Sequence, residues 1–148
     1  AKQKDFSYNI LRPICVFGDN DLGDRLVPKF IQQAIHNEEI FYAQDTTTDI
    51  TYVADMVQAL QLSIESDVNN ETFNVSSEHT VTLKQLAEHI VAHFKSDSKM
   101  IPVSREKYFP NRGSLKIDKI KNMLNYERQF DLTKALEDID ANTIYKTD

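Results

Sequence analysis

From Asn9 to Phe17 apolar side chains, among them Ile10, Ile14, Val16 and Phe17, follow one another almost without alternation. A strand with one wet face alternates in polarity, so this run predicts a strand covered on both faces, as in a parallel sheet layered between helices. Gly18-Asp19-Asn20-Asp21 then turns the chain. Asp24 is placed to cap a helix in which Leu26, Val27, Phe30, Ile31, Ala34 and Ile35 recur at helical spacing, with Pro28 in the first turns, where a missing amide donor costs little. Short strands are predicted over Ile40–Ala43 and Asp49–Val53, the second rich in β-branched and aromatic residues. A helix from about Asp55 carries a stripe of Met56, Val57, Leu60 and Ile64 and ends in the polar stretch 65–70, after which Thr72–Val75 reads as a short buried strand. Thr82 and Gln85 have the spacing of a capping box, opening a helix with Leu83, Leu86, Ala87, Ile90, Val91 and Phe94 on its inner face. Met100–Val103 reads as a strand, Lys116–Leu124 as a short helix, and Asp131 to about Tyr145 as a terminal helix with Leu132, Leu136 and Ile139 inward. Strands and helices that alternate in this way indicate the α/β class.

Composition narrows the partners. The 148 residues, 41% hydrophobic and 27% charged, have the size of one globular domain. A net charge of -6 with scattered Lys and Arg argues against nucleic acid, whose binding rests on clustered cations. Small anionic ligands stay in play. Cys15 is the sole cysteine and no stretch reaches the roughly 20 apolar residues a membrane span needs, which fits a reducing, cytoplasmic setting with no membrane partner. The N-terminal Ala1-Lys2-Gln3-Lys4-Asp5 is followed by no apolar signal-peptide core and reads as a chain cut within a longer protein.

Two kinds of chemistry are missing from the residues. With only Gly18, Gly23 and Gly113, no glycine-rich loop for a dinucleotide pyrophosphate can be built. None of the six tyrosines is followed by a lysine four places on, so no lysine-assisted tyrosine acid-base is encoded, and no catalytic residue is assigned. His89 and His93 share a helix face but lack a third ligand; they read as a solvated face, and no metal site is assigned. Cys15 has apolar sequence neighbours and reads as a small buried hydrophobe before a nucleophile. Asp49 and Asp55 read as caps of a strand end and of the following helix.

The order of the segments carries more. Tyr8-Asn9-Ile10-Leu11-Arg12-Pro13-Ile14-Cys15-Val16-Phe17-Gly18, then Pro28-Lys29-Phe30-Ile31, then Thr48-Asp49-Ile50-Thr51-Tyr52-Val53-Ala54-Asp55-Met56-Val57 resembles the C-terminal half of an NAD-dependent sugar-nucleotide epimerase or dehydratase, of the extended short-chain dehydrogenase/reductase family. Asn74 to Glu78 stands where the family has a Tyr-Asn-Val-Gly-Ser turn, with Ser76 in place of the glycine. Leu115 to Tyr126 resembles the family's closing Leu-Asp-Ile-Ser-Lys through Leu-Gly-Trp.

This resemblance implies a specific anatomy. Tyr8–Val16 and Thr72–Val75 would be the sixth and seventh strands of a doubly wound, Rossmann-type sheet, and the other segments a small α/β substrate-binding lobe. All of 1–148 would then be a C-terminal substrate-binding region, with residues 1–18 and about 72–76 closing a dinucleotide-binding sheet whose N-terminal part is absent. The backbone at Pro13, Ile14 and Cys15 would pass the nicotinamide end of NAD or NADP, a cofactor of the intact parent that this chain alone does not bind. Cys15, Val27, Thr48, Arg105 and Arg112 would lie on the substrate side.

Two of these positions depart from the family pattern. Relatives commonly carry Asn at the place of Cys15 and Arg at the place of Thr48, where a guanidinium clamps the diphosphate of a nucleotide sugar. Arg112, with Arg105 as second choice, is the expected replacement for that charge. Arg25 and Lys29 are further cations, which read first as exposed helix positions. The expected role is to hold a nucleotide sugar for an epimerase or dehydratase without catalysis by this chain alone. The alternatives are a non-catalytic binding or assembly module, and part of a reductase acting on a substrate without a diphosphate. Strands made for the middle of a sheet leave open edges, so self-association or association with a missing N-terminal half is expected.

Overall fold

The computed structural model describes residues 6–21, 24–104 and 113–139. Along them run β1 (Asn9–Pro13), β2 (Val16–Phe17), α1 (Leu26–Ile35), β3 (Ile40–Ala43), β4 (Thr47–Asp49), β5 (Thr51–Tyr52), α2 (Val53–Glu65), β6 (Glu71–Val75), β7 (Thr80–Thr82), α3 (Leu83–His93), β8 (Met100–Val103), α4 (Asp118–Leu124) and α5 (Leu132–Asp138). Three small sheets, β1-β6, β2-β5 and β3-β8, are parallel, and β4-β7 is antiparallel. The α/β class is as the periodicity predicts.

The strand expected over Asn9–Phe17 is in fact two strands in different sheets. β1 runs in register with β6, from Asn9 opposite Glu71 to Pro13 opposite Val75, whereas Val16 and Phe17 lie opposite Thr51 and Tyr52. Pro13 has no amide hydrogen to give a ladder. Ile14 N still donates to Val75 O at 3.2 Å, and Cys15, at a φ of 38°, then turns the chain so that its carbonyl accepts from Thr51 N at 3.1 Å. Nor is the strand covered on both faces. Leu11 packs into the core while Ile10 is 46% exposed.

The predicted Asp49–Val53 strand divides as well. Thr47–Asp49 pairs antiparallel with β7 and Thr51–Tyr52 parallel with β2, while Val53 already belongs to α2. At α1 the N-cap is Arg25 and not Asp24; it makes no side-chain capping bond, and its guanidinium instead reaches Asp21 Oδ1 at 3.3 Å. The capping box holds: Gln85 N donates to Thr82 Oγ1 at 3.1 Å, and Thr82 N donates to Gln85 Oε1 at 2.9 Å. Lys116–Leu124 shortens to α4, closed by Asn125 in the left-handed region at φ 53°. The terminal helix stops at Asp138, with Ile139 extended, and the rest of the predicted helix lies outside the described residues.

Two cores result. In the larger, α1, α3 and α5 press Val27, Phe30, Ile31, Leu86, Ile90 and Leu136 together beside β3. In the smaller, Phe73 and Val75 of β6 meet Ala59 of α2 and Ile120, Leu124 and Tyr126 around α4. Most of the stripe predicted on α2 faces outward, only its Met56 packing against the smaller core: Val57 is 54% and Ile64 80% exposed, beside exposed Val53, Leu60, Ile10 and Tyr8. Ala59 and Asp55 occupy the inward side of that helix.

Candidate functional site

Parallel strands β1 and β6 end side by side at Pro13 and Val75. Just beyond them the chain places Ile14 and Cys15, Ser76 and Ser77, the end of β4 at Thr48 and Asp49, and Ser114 from the segment leading into α4. In open α/β sheets ligands bind past the carboxyl ends of the strands, because loops there diverge and leave a crevice.

Asp49 organises this place. It is fully buried, and a buried carboxylate must be met by donors or it is strongly unfavourable. Ser76 Oγ donates to Oδ2 at 2.5 Å and Ser114 Oγ to the same oxygen at 2.7 Å. Ser77 donates to Oδ1 twice, from its hydroxyl at 2.6 Å and from its backbone amide at 3.2 Å. A carboxylate offers about four acceptor sites, and these four donors occupy them. Asp49 is therefore a tie between β4, the end of β6 and the segment before α4.

Asp55 is a second tie. It accepts from Gln129 N at 2.8 Å and Phe130 N at 3.4 Å. Burial raises its pKa, against those two amide bonds and the charges of Arg128 and Lys134. Both aspartates were expected as caps; neither caps, since β4 ends in the Asp49 tie and α2 has no side-chain capping bond. A lone carboxylate within the β-branched stretch 46–53, with the hydroxyl pair Ser76-Ser77 just after β6, was the available signal for the Asp49 tie. Ser114 gave none.

Among the other expected site residues, Cys15 and Thr48 come together: the Thr48 side chain lies by the half-buried thiol, its hydroxyl donating to Asp49 O at 3.2 Å. Burial pushes the thiol pKa up, outweighing Thr48 and the nearby Arg25. Pro13 is exposed and Ile14 half-buried at the strand end. Val27 sits in the larger core at 1% exposure, its side chain packed by protein on all sides. Arg105 and Arg112 lie outside the described residues. Arg25 is paired with Asp21, and Lys29 is exposed on α1. His89 leans on Gln85 O at 2.8 Å and His93 on the Phe94 ring, and no group of three metal-ligating side chains forms among the described residues. No helix among them is long and apolar enough to cross a membrane.

A dinucleotide pyrophosphate needs backbone it can approach closely. The one described glycine at a strand-to-helix turn, Gly18, does not provide it, because Val53 fills the space where a Cβ would stand, with Cγ1 2.3 Å from that point. The described residues do not fit the pyrophosphate of NAD.

Comparison with known proteins gives a consistent picture. Residues 1–76 match the model of the NAD dependent epimerase/dehydratase family. Over 88 residues the chain is 31% identical to a UDP-N-acetyl-alpha-D-glucosaminuronate decarboxylase of Bacillus cytotoxicus, covering 58% of this chain and 27% of that protein. It is 28% identical over 96 residues to a dTDP-4-dehydro-6-deoxyglucose reductase of Escherichia coli, covering 63% and 29%. Among solved structures it superposes on UDP-glucose 4-epimerase from Thermotoga maritima, solved with UDP-glucose, at a TM-score of 0.81 and 26% identity, over 89% of this chain and 44% of that one. The chain thus spans less than a third of the curated relatives it matches and less than half of that structure. A family match over residues 1–76 of 148, together with parallel strand pairs that superpose on an epimerase, identifies the chain as a member of the NAD dependent epimerase/dehydratase family.

Proposed function

We propose that this chain is the substrate-binding side of an NAD(P)-dependent nucleotide-sugar epimerase or dehydratase, and that it holds the sugar nucleotide past the ends of β1 and β6. The observation that carries this reading is the convergence of Cys15, Thr48, Ser76, Ser77 and Ser114 at that place, three of them tied to the buried Asp49. A rigid anchor of this kind supports a positioning role, and positioning alone can lower a barrier by several kcal/mol. Arg112, backed by Arg105, supplies the charge for the diphosphate in this reading. Pro13, Ile14 and Cys15 face the nicotinamide end of a cofactor whose pyrophosphate is held elsewhere in the intact enzyme. The exposed apolar stripe of α2, with Ile10 and Tyr8, is the face that packs against the rest of that enzyme or against a second copy. Light scattering on the isolated chain is expected to show self-association; a monodisperse monomer removes this last part.

One observation favours a second reading. Cys15 and Thr48 lie close together, a thiol and a hydroxyl where the family carries an amide and a guanidinium. Such a pair suits a substrate without a diphosphate. Titration calorimetry with a panel of nucleoside diphosphate sugars separates the two. Micromolar binding, weakened at least tenfold in Arg112→Ala, is expected from the first reading; heat of binding from no panel member overturns it in favour of the second.

A further inference from the structure

Next to the strand-end site, and sharing Ser77 with it, lies a cavity of about 270 Å³ walled by Phe17, Ile50, Tyr52, Phe130 and Leu132. At liquid density that is the room of roughly nine waters, so the occupant it suits is a small molecule of about as many heavy atoms. Three rings form one wall in succession: Phe17 and Tyr52 have centroids 5.4 Å apart, and Tyr52 and Phe130 4.8 Å, all tilted. Tyr52 donates its hydroxyl to Asp138 Oδ2 at 2.7 Å, which satisfies the phenol and leaves the ring as wall.

The rim differs from the wall. Arg128 and His79, both exposed, stand at the mouth. Arg128 Nη1 donates to Ser77 O at 3.2 Å, which orients a guanidinium while using one of its five donors. Lys134 adds a second cation, with Nζ 4.5 Å from the Phe130 centroid and bonded to Gln129 O. Three carboxylates are near, and each is engaged: Asp131 accepts from Lys134 N at 2.8 Å as the cap of α5, Asp138 accepts from Tyr52, and Asp55 accepts from Gln129 N and Phe130 N. The open end of the cavity is thus an oriented cation over an aromatic wall.

We infer that this cavity is a binding site for a small aryl carboxylate, the ring lying against Phe17, Tyr52 and Phe130 and the carboxylate paired with Arg128. An aromatic body gains contact area with rings already in place, and a carboxylate matches the planar fork of a guanidinium. Arg128 meets the strand-end site only at the Ser77 carbonyl, and Arg128→Gln leaves Cys15, Thr48 and the proposed diphosphate contact Arg112 in place, so its effect on this site is read apart from sugar-nucleotide binding. The test uses the full chain and three probes observed by calorimetry and by amide shifts in nuclear magnetic resonance. Phenylacetate carries both features, acetate only the carboxylate, and phenethylamine the same body with the opposite charge. Phenylacetate is expected to saturate, shifting amides around Phe17, Tyr52 and Arg128, and to bind at least tenfold more tightly than either control. Arg128→Gln, a change at an exposed position, is expected to weaken it tenfold with an unchanged melting temperature. Equal binding of acetate or phenethylamine, an unaffected Gln variant, or no saturable binding of phenylacetate overturns the inference.

Discussion

Asp49→Ala lowers the stability of this chain by about 3 kcal/mol, because it strips the acceptor from four donors gathered around a fully buried carboxylate. For a domain of this size that is a fall of about 9 °C in melting temperature. The serine hydroxyls can turn toward one another or toward water, but the Ser77 amide cannot, and its desolvation is the irreducible part of the loss. Asp49→Asn separates the tie from bulk packing. With its oxygen toward the two Ser77 donors, its amide faces Ser76 and Ser114, whose hydroxyls rotate to accept, so this variant should lose only about 1 kcal/mol. Thermal and urea unfolding of both variants measure the difference. Equal losses in the two would mean that Asp49 is held by packing and not by its hydrogen bonds.

Gly18→Ala is the second large effect, and its origin is steric. An alanine Cβ would stand 2.3 Å from Val53 Cγ1 and 2.8 Å from Val53 Cβ. Rotating Val53 moves the first atom but not the second, and Val53 opens α2, where a β-branched side chain has one strongly preferred rotamer. The β2 turn and the start of α2 must therefore move apart, at about 1–3 kcal/mol. The Gly18→Ala/Val53→Ala double variant relieves the Cγ1 clash and keeps the Cβ one, so it should recover part of the loss as a favourable coupling. A Gly18→Ala protein that melts at the wild-type temperature would show that the turn yields freely.

Much of the local structure was legible. The capping box at Thr82 and Gln85, the buried side of α3, and the β3 and β8 strands rest on neighbours in sequence, whose spacing sets their geometry directly. The family was legible too, since the order of Arg12-Pro13, Thr48-Asp49 and Asn74 to Glu78 survives substitution at single positions. The α1 cap lies one residue beyond Asp24, at Arg25, which makes no side-chain capping bond and reaches Asp21 instead.

The site was only half legible. Cys15 and Thr48 were picked out separately, and their contact exists because β1 gives way to β2 at a residue with positive φ, which no apolar run announces. Asp49 and Asp55 were seen, but as caps. Their donors come from Ser76, Ser77, Ser114, Gln129 and Phe130, up to 75 residues away in the chain.

The sequence by itself determined the α/β class, the buried faces of α1 and α3, the family, and the absence of a glycine-rich pyrophosphate loop, since each follows from residue type and short-range spacing. Only the tertiary structure decided where the long apolar strand changes partners, which face of α2 stays bare, and that two aspartates are interior ties. Those outcomes depend on which distant donors and which sheet edges meet. A buried carboxylate is tolerated only where such partners converge, and convergence is a property of the folded chain.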